Sequence, residues 1–585
     1  MRKGIGVSPG VAVGKAYCIH EIFVDPHTKR LADDEVIGEL RRYEEAAQRT
    51  VADLHALAHK VSSQVGSEQA AIFRVHESIV HDPAFTEKIR GWIADHRELA
   101  ESALHRVLNE YTSLFVRTKD EYLKERLADV RDVIIRLSGH LSPMLASDAA
   151  DFSGPVVLVA PELLPSQVVA LGERQVAAIV TQSGGRTSHA AILARSRGIP
   201  AVSGVRGILR QVTNGDTVVV DGREGVVLVN PDPETESAYR KLQREFFHLK
   251  DVLAENRHLP SVMADGTPVE LLANINGLDD AKKAAAMGAA GVGLFRTEYL
   301  YLTHPDVPDE EEQLTAYRQI IEGSPGRRVT IRTLDLGGDK TIPYLGHDRE
   351  ANPFMGWRSI RLSFEHPGFF TTQIRAILRA GASEAEPGGV QILFPMITTL
   401  EEVRRVRGMV RRAKRQLASR GHSFADVPMG LMVEVPAAAI CIRSLVRSVD
   451  FVSIGSNDLV QYLMAADRDN PKVSHLCQPL SPAVLRVLCR VIAACNKTGK
   501  PVTLCGEMAG QPSAFVLLVG MGLRSFSMSP AFIPTIKELT SHLTEENTQA
   551  IVKRALRLQT SAEVVRFMGD QIEQLAPSLK ILDSA

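Results

Sequence analysis

The sequence predicts a multidomain α/β chain: an α/β domain interrupted by a helical bundle, then a connecting helix, then a C-terminal (β/α)8 TIM barrel. Three observations predict it. Residues 1–32 and roughly 150–230 share one grammar, short apolar β-type runs punctuated by Gly and Pro. Between them an apolar period of three to four residues takes over. From about residue 261 strand-like and helix-like segments alternate eight times, as a (β/α)8 barrel requires.

The bulk numbers agree with several domains and exclude some functions. A chain of 585 residues is too long for one hydrophobic core. Its formal net charge of -1 gives no global field for nucleic acid or a membrane surface. No apolar run reaches the ~18 residues of a membrane span, and Gly, Pro and Lys break the N-terminal stretch before it resembles a signal peptide. Six cysteines without a CxxC pair do not make a disulfide framework. A reduced, cytoplasmic protein is expected.

The α/β domain is expected over 1–32 and 149–230, with strands at Val156–Ala160, Val176–Val180, Val218–Val220 and Val226–Val229. The helical insert is expected over 33–148. Val36, Leu40, Tyr43, Ala47, Val51, Leu54, Leu57, Val61 and Val65 form one stripe on a long helix, and similar spacing recurs through Ile89–Phe115 and Leu123–Leu141. This insert holds 21 Asp/Glu against 15 Lys/Arg, which suits a basic protein partner as well as a solvated face. Residues 231–260 read as the connecting helix, with Pro near its start and at its end. The barrel is expected over 261–575, with strands at Val269–Asn274, Gly291–Arg296, Val329–Leu334, Val390–Pro395, Met429–Glu434, Phe451–Ser456, Pro501–Gly506 and Arg524–Met528.

Barrel chemistry gathers at the C-terminal strand ends. There the second strand carries Arg296, the third Arg332 and then Lys340, the fifth Glu434, the sixth Asn457, Asp458 and Arg468, and the seventh Cys505. Singly, each such residue is more often an ion pair, a cap or a packing group. Together they put cations and two carboxylates on one rim, which suits a phosphorylated carboxylic acid. Arg forks bind phosphate bidentately. Mg²⁺ takes one or two protein carboxylates and leaves its other positions to waters and substrate oxygens, so Glu434 and Asp458 are the candidate metal ligands.

A second site is expected in GGRTSHAAILARSRGIPAV, Gly184 to Val202. His189 falls at the start of a helix capped by Thr187 or Ser188. The positive helix end favours neutral imidazole, and the same N–H groups with Arg186 would hold a phosphate on that ring. A nucleophile needs the first before attack and the second after it.

That loop resembles the phosphohistidine loop of phosphoenolpyruvate-utilising enzymes. GVGLFRTEYLY, VTIRTLDLGGDK, NPFMGWRSIRL, FPMITTLEEV, MVEVPAAA, SIGSNDLVQYLMAADR and TLCGEMAG resemble the other blocks of that family, in the same order. The opening GVSPGVAVGKA and the helical insert are similar to the enzyme I branch, the phosphoenolpyruvate–protein phosphotransferases of the bacterial phosphotransferase system. No Walker-type loop is found, so an ATP-using dikinase is disfavoured.

The resemblance implies a swivelling phosphohistidine domain. His189 would take the phosphoryl group from phosphoenolpyruvate and pass it to the carrier HPr, the first step of the sugar phosphotransferase system. It implies Arg296, Arg332, Lys340, Arg358, Asn457 and Arg468 as substrate-binding residues, Glu434 and Asp458 as Mg²⁺ ligands, and Cys505 as proton donor to the departing enolate. It also implies an HPr-docking surface on the insert and a homodimer through the barrel. A regulatory, nitrogen-type paralogue acting on an HPr-like carrier is the alternative; the chain opens at GIGVSPG without a sensory domain, which favours the general enzyme. Two positions depart from the family pattern: Val435 stands beside Glu434 where Thr is usual, and Cys477 stands where an aromatic is usual.

Overall fold

The structure is a computed structural model. It describes residues 2–8, 10–19, 30–64, 67–116, 121–141, 155–162, 176–183, 194, 199–302, 306–326, 328–337, 350, 352–382, 389–468, 470, 472–577 and 579. The chain divides into two compact units, and the division falls at His248–Leu249, inside the helix Pro233–Asn256.

The first unit contains a sheet of β1 (Arg2–Lys3), β2 (Ile5–Ser8), β3 (Val11–Cys18), β4 (Val156–Ala160), β5 (Val176–Thr181), β6 (Ala201–Ser203), β7 (Thr217–Asp221) and β8 (Val226–Val229). Their order is β1-β8-β7-β3-β4-β5-β6-β2. The centre, β3-β4-β5-β6, is parallel, and the flanking pairs are antiparallel. A central parallel strand is buried on both faces, so it reads as a continuous apolar run. In β4 the pleat sends Val157 and Val159 into one core with Ala178, Val180, Ile208 and Val218. It sends Leu158 and Ala160 into another with Val7, Ile179 and Ala201.

That second core runs on into the helical insert: α1 (Val36–Gln64), α2 (Ser67–Val80), α3 (Pro83–Ala94), α4 (Ala100–Val116) and α5 (Glu121–Leu141). The described part of the stripe read from the sequence faces inward: Tyr43 and Leu54 are fully buried, and Val36, Leu40, Ala47, Val51 and Leu57 pack against that core, while the Val61 side chain and Val65 lie outside the described residues. The span expected as one helical stretch at Ile89–Phe115 is two helices. Asp95 ends α3, and Arg97 then takes a positive φ of 54° before α4 begins. A separate helix, α2, buries Phe73 and His76, and His76 Nε2 lies 3.2 Å from Asp129 Oδ1 on α5.

The second unit is the closed barrel of β9 (Glu270–Ile275), β10 (Val292–Arg296), β11 (Val329–Arg332), β12 (Val390–Phe394), β13 (Met429–Val433), β14 (Phe451–Ile454), β15 (Val502–Leu504) and β16 (Ser525–Met528). All eight strands pair in parallel, and β16 closes on β9 through Ser525 opposite Glu270. The expected strands are all present: the first is shifted by one residue, the seventh is shorter by three, and the other six are trimmed by a residue or two. Leu294, Leu393, Met432, Phe451 and Cys505 cluster in its interior. Thr399 opens the outer helix Leu400–Ser419 with a capping box to Glu402, and Val403, Val406, Val410, Ala413 and Leu417 are its buried face.

Candidate active site at the barrel mouth

Each candidate side chain sits where its strand stops. Arg296 and Arg332 end β10 and β11, Glu434 follows β13, and Asp458 lies in the first turn of the helix Ser456–Met464 after β14. Cys505 follows β15. Arg358 comes from the long connection after β11, where Gly337, with a φ of 110°, lies directly against the Arg358 backbone.

Charges deep in the mouth are paired in a chain. Arg332 Nη2 donates to Glu298 Oε1 at 2.9 Å, and Arg332 Nη1 lies 3.0 Å from Asp335 Oδ2. Asp335 Oδ1 and Oδ2 each accept from Arg358 Nη2 at 3.1 Å. Arg358 Nη1 lies 3.5 Å from Asp458 Oδ1, and Arg468 Nη1 lies 3.8 Å from the same oxygen. Burial alone would disfavour the Arg332 charge, but Glu298 and Asp335 overcome it and hold the guanidinium protonated. Asp335 and Asp458 do the same for Arg358. Arg296 lacks such compensation: burial and then the repulsion of Arg332 lower its pKa. Two neighbouring cations, one under-compensated, make a place where an anion is attracted strongly.

Glu434 is almost wholly buried and accepts from the Met396 backbone N–H. Burial, then the nearby Asp458 and Asp335, push its carboxyl up to about 8. Gly455 is the reason Glu434 fits, since a Cβ there would stand 2.9 Å from Glu434 Oε2 and 3.0 Å from its Cβ. Asp458 Oδ1 is buried and has no hydrogen-bond donor among the described residues. Two buried, mutually repelling carboxylates with an orphaned oxygen match what Mg²⁺ takes from a protein. Among the described residues no third His, Cys, Asp or Glu joins them, which leaves the rest of an octahedron to water and substrate.

Cys505 is 3% exposed. Its Sγ lies 3.2 Å from Ser453 Oγ, whose hydroxyl donates to it. Burial pushes the thiol up, while Ser453 and Arg332 act against the rise and Glu434 adds to it. The net result is a thiol that keeps its proton at neutral pH, beside two arginines.

Asn457 is drawn partly out of the cluster: its amide exchanges hydrogen bonds with Glu507, at 2.9 Å from the Glu507 N–H and 3.3 Å to its carboxylate. Arg468 stays more exposed than Arg332 or Arg358, with 37% of its side chain open to solvent. Lys340 and His189, with its glycine loop, lie outside the described residues. Sequence reasoning missed Glu298, Asp335 and Ser453. The available signal was distance in the chain: a carboxylate two residues past Arg296 and another three past Arg332, each close enough to reach back to a strand-end arginine.

Among the described residues no helix is long and apolar enough to cross a membrane. Family models match in three consecutive blocks: the PEP-utilising enzyme N-terminal domain over residues 3–126, the mobile domain over 152–225, and the PEP-binding domain over 250–545. The chain is 41% identical to the phosphoenolpyruvate-protein phosphotransferase of Bacillus sp. (strain S) and 42% identical to that of Geobacillus stearothermophilus, over 97% of both chains in each case. It is 39% identical to that of Bacillus subtilis (strain 168), over 97% of this chain and 99% of the relative. An eight-stranded parallel barrel with arginines and paired acids at its mouth, and full-length likeness to these relatives, lead to one assignment: the chain belongs to the phosphoenolpyruvate-utilising enzymes, in the family of phosphoenolpyruvate-protein phosphotransferases.

Proposed function

We propose that this chain transfers the phosphoryl group of phosphoenolpyruvate to its own His189 and then to a histidine of the carrier HPr, releasing pyruvate. This would be the first step of a sugar phosphotransferase system in the cytoplasm. The observation that carries the reading is the buried series Glu298–Arg332–Asp335–Arg358–Asp458 closing on Glu434 at the barrel mouth. It supplies fixed cations for a phosphate and a carboxylate, beside two acids suited to a divalent cation.

Phosphoryl transfer asks mainly for charge neutralisation and in-line placement. Arg296 and Arg332 neutralise phosphate oxygens, and Arg358, Asn457, Arg468 and Lys340 complete the substrate grip. Glu434 and Asp458 hold Mg²⁺, which when bound screens the phosphate and carboxylate charges of the substrate. A ring nitrogen of neutral His189 forms the N–P bond as the bridging P–O bond breaks. The electron pair goes to the enolate oxygen, and Cys505 delivers its proton to the methylene carbon to complete pyruvate.

His189 and the mouth belong to different units of the chain. The transfer therefore requires the N-terminal part to swivel about the 231–260 connector and present His189 first to the mouth, then to HPr. The helical insert, six charges net negative, suits a basic carrier. Assembly as a homodimer through the barrel is part of this reading.

The test is labelling with ³²P-phosphoenolpyruvate and Mg²⁺, wild type against His189→Ala, followed by HPr. Acid-labile label on wild type alone, chased onto HPr, is expected. Label that stays on the protein, or that survives in His189→Ala, would sink the reading.

A further inference from the structure

The outer barrel helix Leu400–Ser419 is built against ordinary helix economy on its solvent side. After Glu402 it carries Arg404, Arg405, Arg407, Arg411, Arg412, Lys414 and Arg415, with no acid and no aromatic residue through Ser419. The wider segment from 403 to 500 holds 16 Lys/Arg against 6 Asp/Glu, in a chain whose net charge is -1. Two of the cations have local duties. Arg405 lies 4.1 Å from the Phe364 ring and donates to the Phe364 carbonyl, and Lys414 pairs with Asp426. Arg407, Arg411, Arg412 and Arg415 are exposed and form no ion pair among the described residues.

Three choices here oppose stability. Arg407/Arg411 and Arg411/Arg415 are like-charge i,i+4 pairs, each unfavourable by ~0.2–0.5 kcal/mol. No acid offsets them, where a merely solvated face would alternate signs. Gly408 sits inside the helix, which costs ~0.5–1 kcal/mol relative to Ala. Packing does not call for that glycine, because a Cβ at 408 would meet nothing within 4 Å. Gly408 lines an open surface cleft of about 540 Å³ together with Arg411, Lys414 and Arg415. Local choices that work against the fold, gathered at one spot, are the mark of a site.

We propose that this cleft binds a small molecule carrying two or more linked phosphates. Arg411 and Arg415 stand one turn apart on one face and present forks to adjacent phosphates, while Lys414 stays with Asp426. Without an aromatic or apolar wall on this helix, recognition is of the phosphate chain and not of any base or sugar attached to it. The cleft starts at the ninth residue of the helix and runs toward its C-terminal end, away from the strand ends that form the mouth, so it is separate from the phosphoenolpyruvate site.

The experiment is calorimetric titration of the full chain with sodium tripolyphosphate, at low and at physiological salt. Arg411→Ala/Arg415→Ala should weaken binding by about tenfold or more, from the loss of two charge-assisted contacts. Gly408→Leu should weaken it to a similar extent by filling the cleft with no change in charge, while the protein melts no lower than wild type. Saturating phosphoenolpyruvate, which fills the mouth, should leave tripolyphosphate binding unchanged. ATP should match tripolyphosphate, since the nucleoside adds nothing. Failure of wild type to bind, or full binding by Gly408→Leu, would overturn the proposal, because a plain charged surface ignores that glycine. Loss of binding under saturating phosphoenolpyruvate would place the anion in the mouth instead. Tighter binding of a poly-glutamate peptide or of oligothymidylate than of tripolyphosphate would assign the face to a polymer and end the small-ligand assignment.

Discussion

Glu298 holds Arg332: one carboxylate oxygen takes the guanidinium at 2.9 Å and the Asp335 backbone N–H at 3.0 Å, with the Glu298 side chain only 3% exposed. Glu298 thus fixes both the cation and the loop that carries its second partner. Breaking a buried pair by removing one charge is far costlier than the pair is worth, about 3–5 kcal/mol. Glu298→Gln keeps the shape and an acceptor for Asp335 but drops the charge. We expect KM for phosphoenolpyruvate to rise by about tenfold or more with a smaller change in kcat, because ground-state phosphate binding is what Arg332 loses. Equal loss in kcat with KM unchanged would contradict a positioning role.

Cys505 keeps its proton because burial pushes the thiol up. Cys505→Ala should still bind phosphoenolpyruvate but release pyruvate about 10²–10⁴-fold more slowly, the usual range for a lost general acid. Stopped-flow binding and a coupled pyruvate assay separate the two effects. An alanine variant with wild-type turnover would remove Cys505 from the reaction.

Glu434 titrates near 8 in the folded, metal-free chain and near 4.5 in an unfolded one. Its folded pKa is the higher, so its proton favours the folded state fully below about pH 4.5, and that contribution disappears as pH rises through about 8. Metal-free wild type should therefore lose barrel stability relative to Glu434→Gln as pH rises over this window. Mg²⁺ should restore wild type and not the variant. Thermal melts at pH 5.5 and 8.5, with and without Mg²⁺, check this; parallel melts of the two proteins at both pH values would refute it.

Gly455 is not special in its backbone, with φ −85° and ψ 83°, but its Cβ position is occupied by Glu434 on one side and Met432 Sδ on the other. Gly455→Ala should displace Glu434 and weaken Mg²⁺ affinity before it unfolds the barrel. Isothermal titration with Mg²⁺ or Mn²⁺ reads this directly, and unchanged affinity would show that the acid moves freely.

The barrel was legible because its strands are short apolar runs, five of which stop at a chemistry-bearing block, as Val292–Arg296 does at FRTE and Met429–Val433 at Glu434. The boundary between α3 and α4 was not, because Leu99 and Ala100 return seven residues after Trp92 and Ile93, in the same helical phase, while the backbone turns on a non-glycine residue, Arg97. The cations at the mouth were readable as strand-end residues. Their keepers were not. Glu298 falls in a helical turn, Asp335 in a connection, and only folding returns them to Arg332 and Arg358. Ser453 lies inside a strand, and hydroxyls inside strands carry no pattern that separates a thiol's partner from a packing group.

β3 and β4 are adjacent parallel strands, yet the whole helical insert separates them in the chain, and Ile19 N–H still bonds the Val159 carbonyl where the two strands finish. The chain leaves the sheet and comes back beside its point of departure. Loop-closure entropy rises only with the logarithm of length, so enlarging or replacing this excursion disturbs the sheet little. Contacts so distant in sequence form slowly, so the insert should gain its helices before the sheet zips shut. The insert could then be exchanged as one cassette, and the sheet beneath it need not be redesigned.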